Sequence, residues 1–205
     1  MNALTWRLVL GMSRLARGLH VIGPQLVRVD DPFSNTDHIL DLGGGGEGVI
    51  GQLRGEQVTA VDIRQEELDE APDGPAKVVA DARELPFADG SFDAATAFFF
   101  LMYVPNRDRS TVLQEAHRIL RPGGRLHIWD VAIPAPETHS RRTFVVPVRA
   151  VLPDRAVRTL YGVRWEGRSM SSESVLHIAE EAGFAAVAHE MSDACFHIEL
   201  TRPAA

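Results

Sequence analysis

The stretch Ile39-Leu40-Asp41-Leu42-Gly43-Gly44-Gly45-Gly46-Glu47-Gly48 constrains this chain more than any other. It sets an apolar strand with a carboxylate near its end against a run of glycines, and a helix-like segment follows. Glycine alone turns the backbone through positive φ and lets it approach a ligand with no Cβ in the way. A helix start beside it offers unpaired N–H groups. Strand, glycine turn and helix in that order make a nucleotide-type binding loop, so a cofactor is expected.

The rest of the chain alternates in the same style. After an irregular stretch punctuated by Gly23-Pro24 and Asp31-Pro32, strands are expected at 38–42, at 58–61 ending at Asp62, at 77–80 ending at Asp81, at 92–99 and at 125–131. Helices fill the gaps at 47–53, 65–70 and 107–120. The last has apolar residues at 112, 113, 116, 119 and 120, and Arg121-Pro122-Gly123-Gly124 stops it. Such alternation means a parallel sheet covered on both faces, with ligands outside the carboxyl ends of its strands. The pattern then breaks. Residues 144–152 and 156–165 alternate with period two about Pro153-Asp154, an inserted β-hairpin. A helix around 175–182, with Ser171 or Ser172 as N-cap and Gly183 past its end, precedes two strands, 184–191 and 194–200, joined at Ser192-Asp193.

At 205 residues this is one domain: an N-terminal helix and loop (1–36), a cofactor-binding core (37–133), the hairpin insertion (134–170) and a C-terminal helix and strand pair (171–205). Leu4, Leu8, Met12, Leu15 and Leu19 share a helical face with Arg7, Arg14 and Arg17 interleaved, which reads as a packing helix rather than a targeting segment. No apolar run approaches the roughly 18 residues a membrane span needs. Cys195 is the only cysteine, which excludes an intrachain disulfide or thiolate cluster and fits the cytoplasm. The histidines are scattered without ligand spacing, so no metal is implied. A net charge of −7 argues against nucleic acid, yet seven arginines against two acidic residues make 141–168 a basic island.

Gly43-x-Gly45-x-x-Gly48 with Asp62 downstream also fits a dinucleotide fingerprint, so an NAD-dependent oxidoreductase is one reading. Asp41 and three further stations point elsewhere. They are Val61-Asp62-Ile63, the segment Asp81-Ala82-Arg83-Glu84-Leu85-Pro86-Phe87-Ala88-Asp89-Gly90-Ser91-Phe92-Asp93, and Glu115-Ala116-His117-Arg118-Ile119-Leu120-Arg121-Pro122-Gly123-Gly124-Arg125-Leu126. Together with the glycine loop they resemble the class I S-adenosylmethionine-dependent methyltransferases, in particular the small-molecule "methyltransferase domain 11-like" group. The resemblance spans 37–131 and, more loosely, the final helix and strand pair. It implies an α/β, Rossmann-like seven-stranded sheet in the order 3-2-1-4-5-7-6 with the last strand antiparallel. It further implies S-adenosyl-L-methionine as cofactor and methyl transfer by in-line displacement to a small acceptor, and the basic island suggests an anionic one.

Asp62 at a strand end suits both ribose hydroxyls, because a carboxylate accepts two donors side by side. By the resemblance, Asp81 receives the adenine amino group, the Ala82 N–H faces the ring, Ile63 and Leu85 sandwich it, and Phe98 joins the cofactor set. Gly43 and Gly45 admit the methionine portion, whose positive groups suit Asp41. Glu47 stands where the family has its third glycine; it either reaches the cofactor's ammonium or is a solvated first-turn residue favoured by the helix dipole. Residues after the fourth strand face the reacting methyl in the family, which nominates Phe100, Met102 and Tyr103, with Tyr103 orienting the nucleophile. His117 reads as structural, and His20 and His139 have no assigned place.

In the hairpin, Tyr161, Val163 and Trp165 share one face and Arg158 and Arg164 the other. The ribbon is expected either to roof the cleft or to pair with a second copy as a homodimer. Its arginines accordingly receive an anionic substrate or meet the acidic body of a neighbour. A noncatalytic S-adenosylmethionine-binding module is the alternative of a different class, because no evident base stands out.

Overall fold

The structure is a computed structural model describing residues 18–135 and 142–204. The N-terminal packing helix and His139 lie outside the described residues. In chain order the elements are β1 (Leu19–Val21), β2 (Gln25–Arg28), β3 (Ile39–Leu42), α1 (Val49–Arg54), β4 (Val58–Asp62), α2 (Gln65–Glu70), β5 (Ala76–Val79), β6 (Phe92–Phe98), α3 (Arg109–Ile119), β7 (Leu120–Val131), β8 (Thr143–Val151), β9 (Ala156–Arg164), α4 (Ser172–Glu181), β10 (Ala185–Ser192) and β11 (Cys195–Thr201).

Seven strands form the main sheet in the order β10-β11-β7-β6-β3-β4-β5. Strands β3 to β7 run parallel, and β11 is antiparallel to both of its neighbours. This is the expected order. The burial pattern explains why: β3 is buried at every position, and β6 at all but Asp93, as central strands covered on both faces must be. Edge strand β5 buries none of its residues fully. Helix α3 turns Val112, Leu113, Ala116 and Ile119 inward at the helical period, and α4 opens on a reciprocal Ser171–Ser174 capping box. His117 is structural, packed edge-on against Phe184 at 5.0 Å.

The expected hairpin is β8–β9, with Val151 opposite Ala156 at its turn and Arg149 opposite Arg158. The stretch expected to be irregular is instead partly strand over residues 20–28, and Leu19, expected on the face of the N-terminal helix, opens β1 because it pairs with Thr143 of β8. β1 and β2 pair in parallel with successive halves of β8, making a second, four-stranded sheet. Strands of three and four residues, split by Gly23-Pro24, show too little alternation to be read locally, and their partner lies over 120 residues away. Pro147 sits where this broken edge strand leaves a gap. Val145 turns its carbonyl to that edge, accepting from Ile22 at 3.1 Å, and two residues on Pro147 has no N–H to offer.

The second sheet is fastened over the carboxyl end of β6. Trp165 donates its indole N–H to the Pro134 carbonyl at 2.7 Å, and the Asn106 N–H donates to the Gly167 carbonyl at 3.1 Å. Buried Arg109 ties the segment after β9 to α3, donating to the carbonyls of Arg168 and Ser169.

Candidate active site

A cleft of about 1110 Å³ opens at the carboxyl ends of β3, β4, β5 and β6, with residues 160–162 of the hairpin on its far wall. Pockets for single drug-sized ligands run to about 1,000 Å³, so there is room for a cofactor and an acceptor together.

The glycine loop forms its floor. Gly43 has φ +71°, and a Cβ there would lie 2.5 Å from a ring carbon of Phe100. A Cβ on Gly45 would lie 2.5 Å from that of Glu67 and 3.1 Å from a carboxylate oxygen of Asp62. Only glycine lets the backbone come this close to three side chains of the site. The loop is tied down by Gly43 and Gly44, whose N–H groups both donate to the Val61 carbonyl, and by Gly46, whose N–H donates to the Glu67 carbonyl at 2.7 Å. Helix α1 begins after Gly48, itself at φ +51°, and has no acidic residue in its first turn. Glu47 therefore precedes the helix rather than entering its first turn, and the dipole reading of this residue falls. It is half-buried and lines the cleft.

Three strand-end carboxylates differ in their surroundings. Asp41 is fully enclosed and accepts a 2.7 Å hydrogen bond from the Thr96 hydroxyl. Burial pushes its pKa to about 7, against that hydrogen bond and with help from the Asp62 charge. Asp62 uses one oxygen to accept the Arg64 N–H at 2.9 Å, and the other faces the glycine loop. Asp81 is held by Arg83 at 2.6 Å, which keeps its pKa below the usual carboxylate range. Beside them Ile63 is 63% exposed and lines the cleft, an apolar surface with no protein partner across it.

The opposite end is aromatic. Phe98 and Phe100 line the cleft, and between them Phe99 is buried at φ +50°, a conformation a bulky residue adopts only under compulsion. Tyr161 stacks on Phe99 with centroids 4.8 Å apart, and Tyr103 meets Tyr161 edge-on at 6.5 Å. The Tyr103 hydroxyl accepts the Gly162 N–H at 3.1 Å. Partial desolvation beside the hairpin, and the charges of Asp130, Glu67 and Glu47, push its pKa above that of a free phenol, although the residue as a whole is 43% exposed. Tyr161 is pushed up further, first by burial and then by the Glu47 charge. Buried Asp130, at the end of β7, accepts the Met102 N–H at 3.1 Å and so fixes the turn that carries Tyr103.

Asp41, Gly43, Gly45, Glu47, Asp62, Ile63, Asp81, Ala82, Phe98, Phe100 and Tyr103 all line one cleft. Others do not. Leu85 is buried away from it, its N–H bound to Glu115, and Met102 is packed into the core. His20 lies between Phe144 and Trp165. Arg158 and Arg164 are exposed on the outer face of the hairpin, outside the cleft lining, because the period of two that turns Tyr161 inward turns them out. Glu67, Tyr161 and Asp130 escape the sequence reading as site residues. Gly162 carried a signal: a glycine inside a strand marks close approach of another group, here the Tyr103 hydroxyl. Among the described residues no three His, Cys, Asp or Glu side chains converge as a metal site.

Residues 40–128, which contain the glycine loop, all three carboxylates and Tyr103, match the family model described as a methyltransferase domain. That stretch of the chain is similar to a methyltransferase domain. Two curated relatives agree: an O-methyltransferase, resE, of Aspergillus sclerotiorum, 38% identical over 56% of this chain and 49% of its own length, and a 27-O-demethylrifamycin SV methyltransferase of Amycolatopsis mediterranei, 36% identical over 51% and 43%. The chain spans about half the length of these relatives. In fold, the chain is similar to a solved S-adenosylmethionine-dependent methyltransferase of Methanosarcina mazei, with 20% identity and a TM-score of 0.64 over 84% of this chain and 95% of that one. The sheet is Rossmann-like, in the expected strand order, and the fold likeness is to a methyltransferase. Tyr161 and the hairpin lie outside the matched residues.

Proposed function

We propose that the chain transfers the methyl group of S-adenosylmethionine to a small-molecule acceptor. The observation that carries this is the meeting of the glycine floor with Asp41, Asp62 and Asp81 at the ends of neighbouring strands, facing an aromatic wall across one cleft. The residues fit the cofactor. A loop that any Cβ would obstruct admits its methionine portion, Asp62 has a carboxylate oxygen turned toward that loop for the ribose, and Ile63 exposes apolar surface for the adenine.

S-adenosylmethionine brings a methyl group already activated by its sulfonium, so the protein's task is alignment and exclusion of water. Glu47, and Asp41 in its ionised form, put negative charge where the cofactor is positive. Asp81 and the Ala82 N–H take the adenine edge, with Phe98 behind. Tyr103 serves as an orienting donor: its oxygen already accepts the Gly162 N–H, its proton remains to be given, and its raised pKa keeps it a phenol at neutral pH. Phe100 and the hairpin residues keep water from the reacting end. The noncatalytic reading gains no observation of its own.

Calorimetric titration of the purified chain with S-adenosylhomocysteine and with NAD tests this. Saturable one-to-one binding of the former and none of the latter is expected; the reverse sinks the proposal.

A further inference from the structure

The two ends of the cleft differ in chemistry, and the difference names a class of acceptor. Resting on the methyltransferase reading, we propose that the acceptor is an uncharged, flat aromatic molecule, seated against Phe100, Tyr103 and Tyr161, and that Tyr161 of the inserted hairpin selects it.

Charge comes first. Among the described residues, the cations lining the cleft are Arg64, Arg83 and Arg107. Each is engaged by a carboxylate: Arg64 by Glu67, Arg83 by Asp81 and Asp108, and Arg107 by Asp108 at 3.6 Å. All three belong with the strand ends and the α3 side, not with the tyrosines. Around the tyrosines the charges are negative. Glu47, which no salt bridge engages among the described residues, acts on both phenols. An anionic acceptor placed there would lose its hydration with no protein cation to pair with among the described residues and the Glu47 carboxylate nearby. A cationic acceptor would meet the sulfonium it must attack and would have no free lone pair. A neutral molecule meets neither penalty.

Shape comes second. Phe98, Phe99, Tyr103 and Tyr161 converge within ring-contact distances, the Tyr161 pairs being 4.8 to 6.5 Å between centroids, and Phe100 lines the same cleft. Aromatic pairs at such spacing are worth about 0.5–1.5 kcal/mol beyond burial, and an aromatic guest gains the same kind of contact. Tyr161 is the member supplied from outside the matched family residues, so it can vary the acceptor without altering the cofactor floor. Its backbone neighbours Leu160 and Gly162 also line the cleft.

The test uses the purified chain saturated with S-adenosylhomocysteine at pH 7, titrated with 2-naphthol and, separately, with 2-naphthoate. The two probes share a ring system and differ in charge. The naphthol is expected to bind at least tenfold more tightly, and Tyr161→Ala to weaken it at least tenfold while leaving S-adenosylhomocysteine affinity within threefold. Equal or tighter binding of the naphthoate, or no binding of the naphthol to the loaded protein, overturns the proposal. So does naphthol affinity unchanged in the variant. If Tyr161→Ala does not fold, Tyr161→Leu keeps the bulk and removes the ring, with the same outcomes. Failure of S-adenosylhomocysteine itself to bind would instead strike the methyltransferase reading.

Discussion

The ring of Tyr161, carried by the inserted hairpin, lies flat on that of Phe99 at the end of β6, the planes 7° apart. Phe99 achieves this at φ +50°, with its N–H donating to the Trp129 carbonyl at 2.7 Å. Strand, hairpin and cleft are joined at this contact.

Replacing Phe99 with glycine separates two opposed effects. Relief of a left-handed bulky residue is worth about 1–3 kcal/mol. Loss of a buried phenylalanine and its stack costs about 3–5 kcal/mol. Burial wins, so Phe99→Gly is expected to be less stable by about 2 kcal/mol in urea unfolding. A variant more stable than the parent would show that the backbone strain outweighs the packing.

The floor admits a ligand only while it lacks side chains. Gly45→Ala would set a methyl 3.0 Å from the Glu67 backbone carbon, which can move only if α2 moves. S-adenosylhomocysteine affinity is expected to fall at least tenfold by calorimetry, an effect of about 1.4 kcal/mol or more. Unchanged affinity would mean that the loop is looser than its hydrogen bonds to Val61 and Glu67 imply.

Asp62→Asn keeps an oxygen to accept the Arg64 N–H, so the fold is expected to persist. A hydrogen bond to a charged group contributes about 1.5–3 kcal/mol, so losing the carboxylate should weaken S-adenosylhomocysteine roughly 10- to 100-fold. Circular dichroism and calorimetry together check this, and a loss of fold with the loss of binding would assign Asp62 a structural role.

Asp41 and His127 should pull stability in opposite directions with pH. Burial raises the Asp41 pKa from 3.8 to about 7, so the folded chain binds more protons than the unfolded one across that window. Its ionisation therefore costs stability as pH rises from about 4 to 7. Burial, with His197 and Arg125 nearby, lowers His127 from 6.5 to about 3, so its contribution is present above 6.5 and is lost as pH falls toward 3. Asp41→Asn is expected to gain stability over the parent at pH 8 but not at pH 4. His127→Phe is expected to gain it at pH 4 but not at pH 8. Stability measured by urea unfolding at both pH values gives the signs, and a shared sign for the two variants would contradict this assignment.

The parallel sheet was readable because its signals are local. β3, β4 and β6 are mostly apolar runs bounded by turns or acids, and Pro122-Gly123-Gly124, which marks the end of α3 in the sequence, lies in the first part of β7. The cofactor side of the cleft was readable for the same reason, since Asp41, Asp62 and Asp81 each close a strand. What stayed hidden depends on distant pairing. β1 and β2 exist because β8 offers them an edge, and Tyr161 becomes a site residue because Phe99 turns to meet it. Arg158 and Arg164 drew attention by their charge, but their register faces them away from the cleft. Asp130 gave no signal at all, because its role is to accept an N–H from a turn 28 residues earlier.

A crystal structure of the chain with S-adenosylhomocysteine bound tests the central claim most directly. The ribose hydroxyls should lie on Asp62, the adenine beside Asp81 and Ala82, and the sulfur should open toward Phe100, Tyr103 and Tyr161. A ligand whose sulfur faces away from that aromatic wall, or a glycine floor left empty at saturating ligand, would contradict the account.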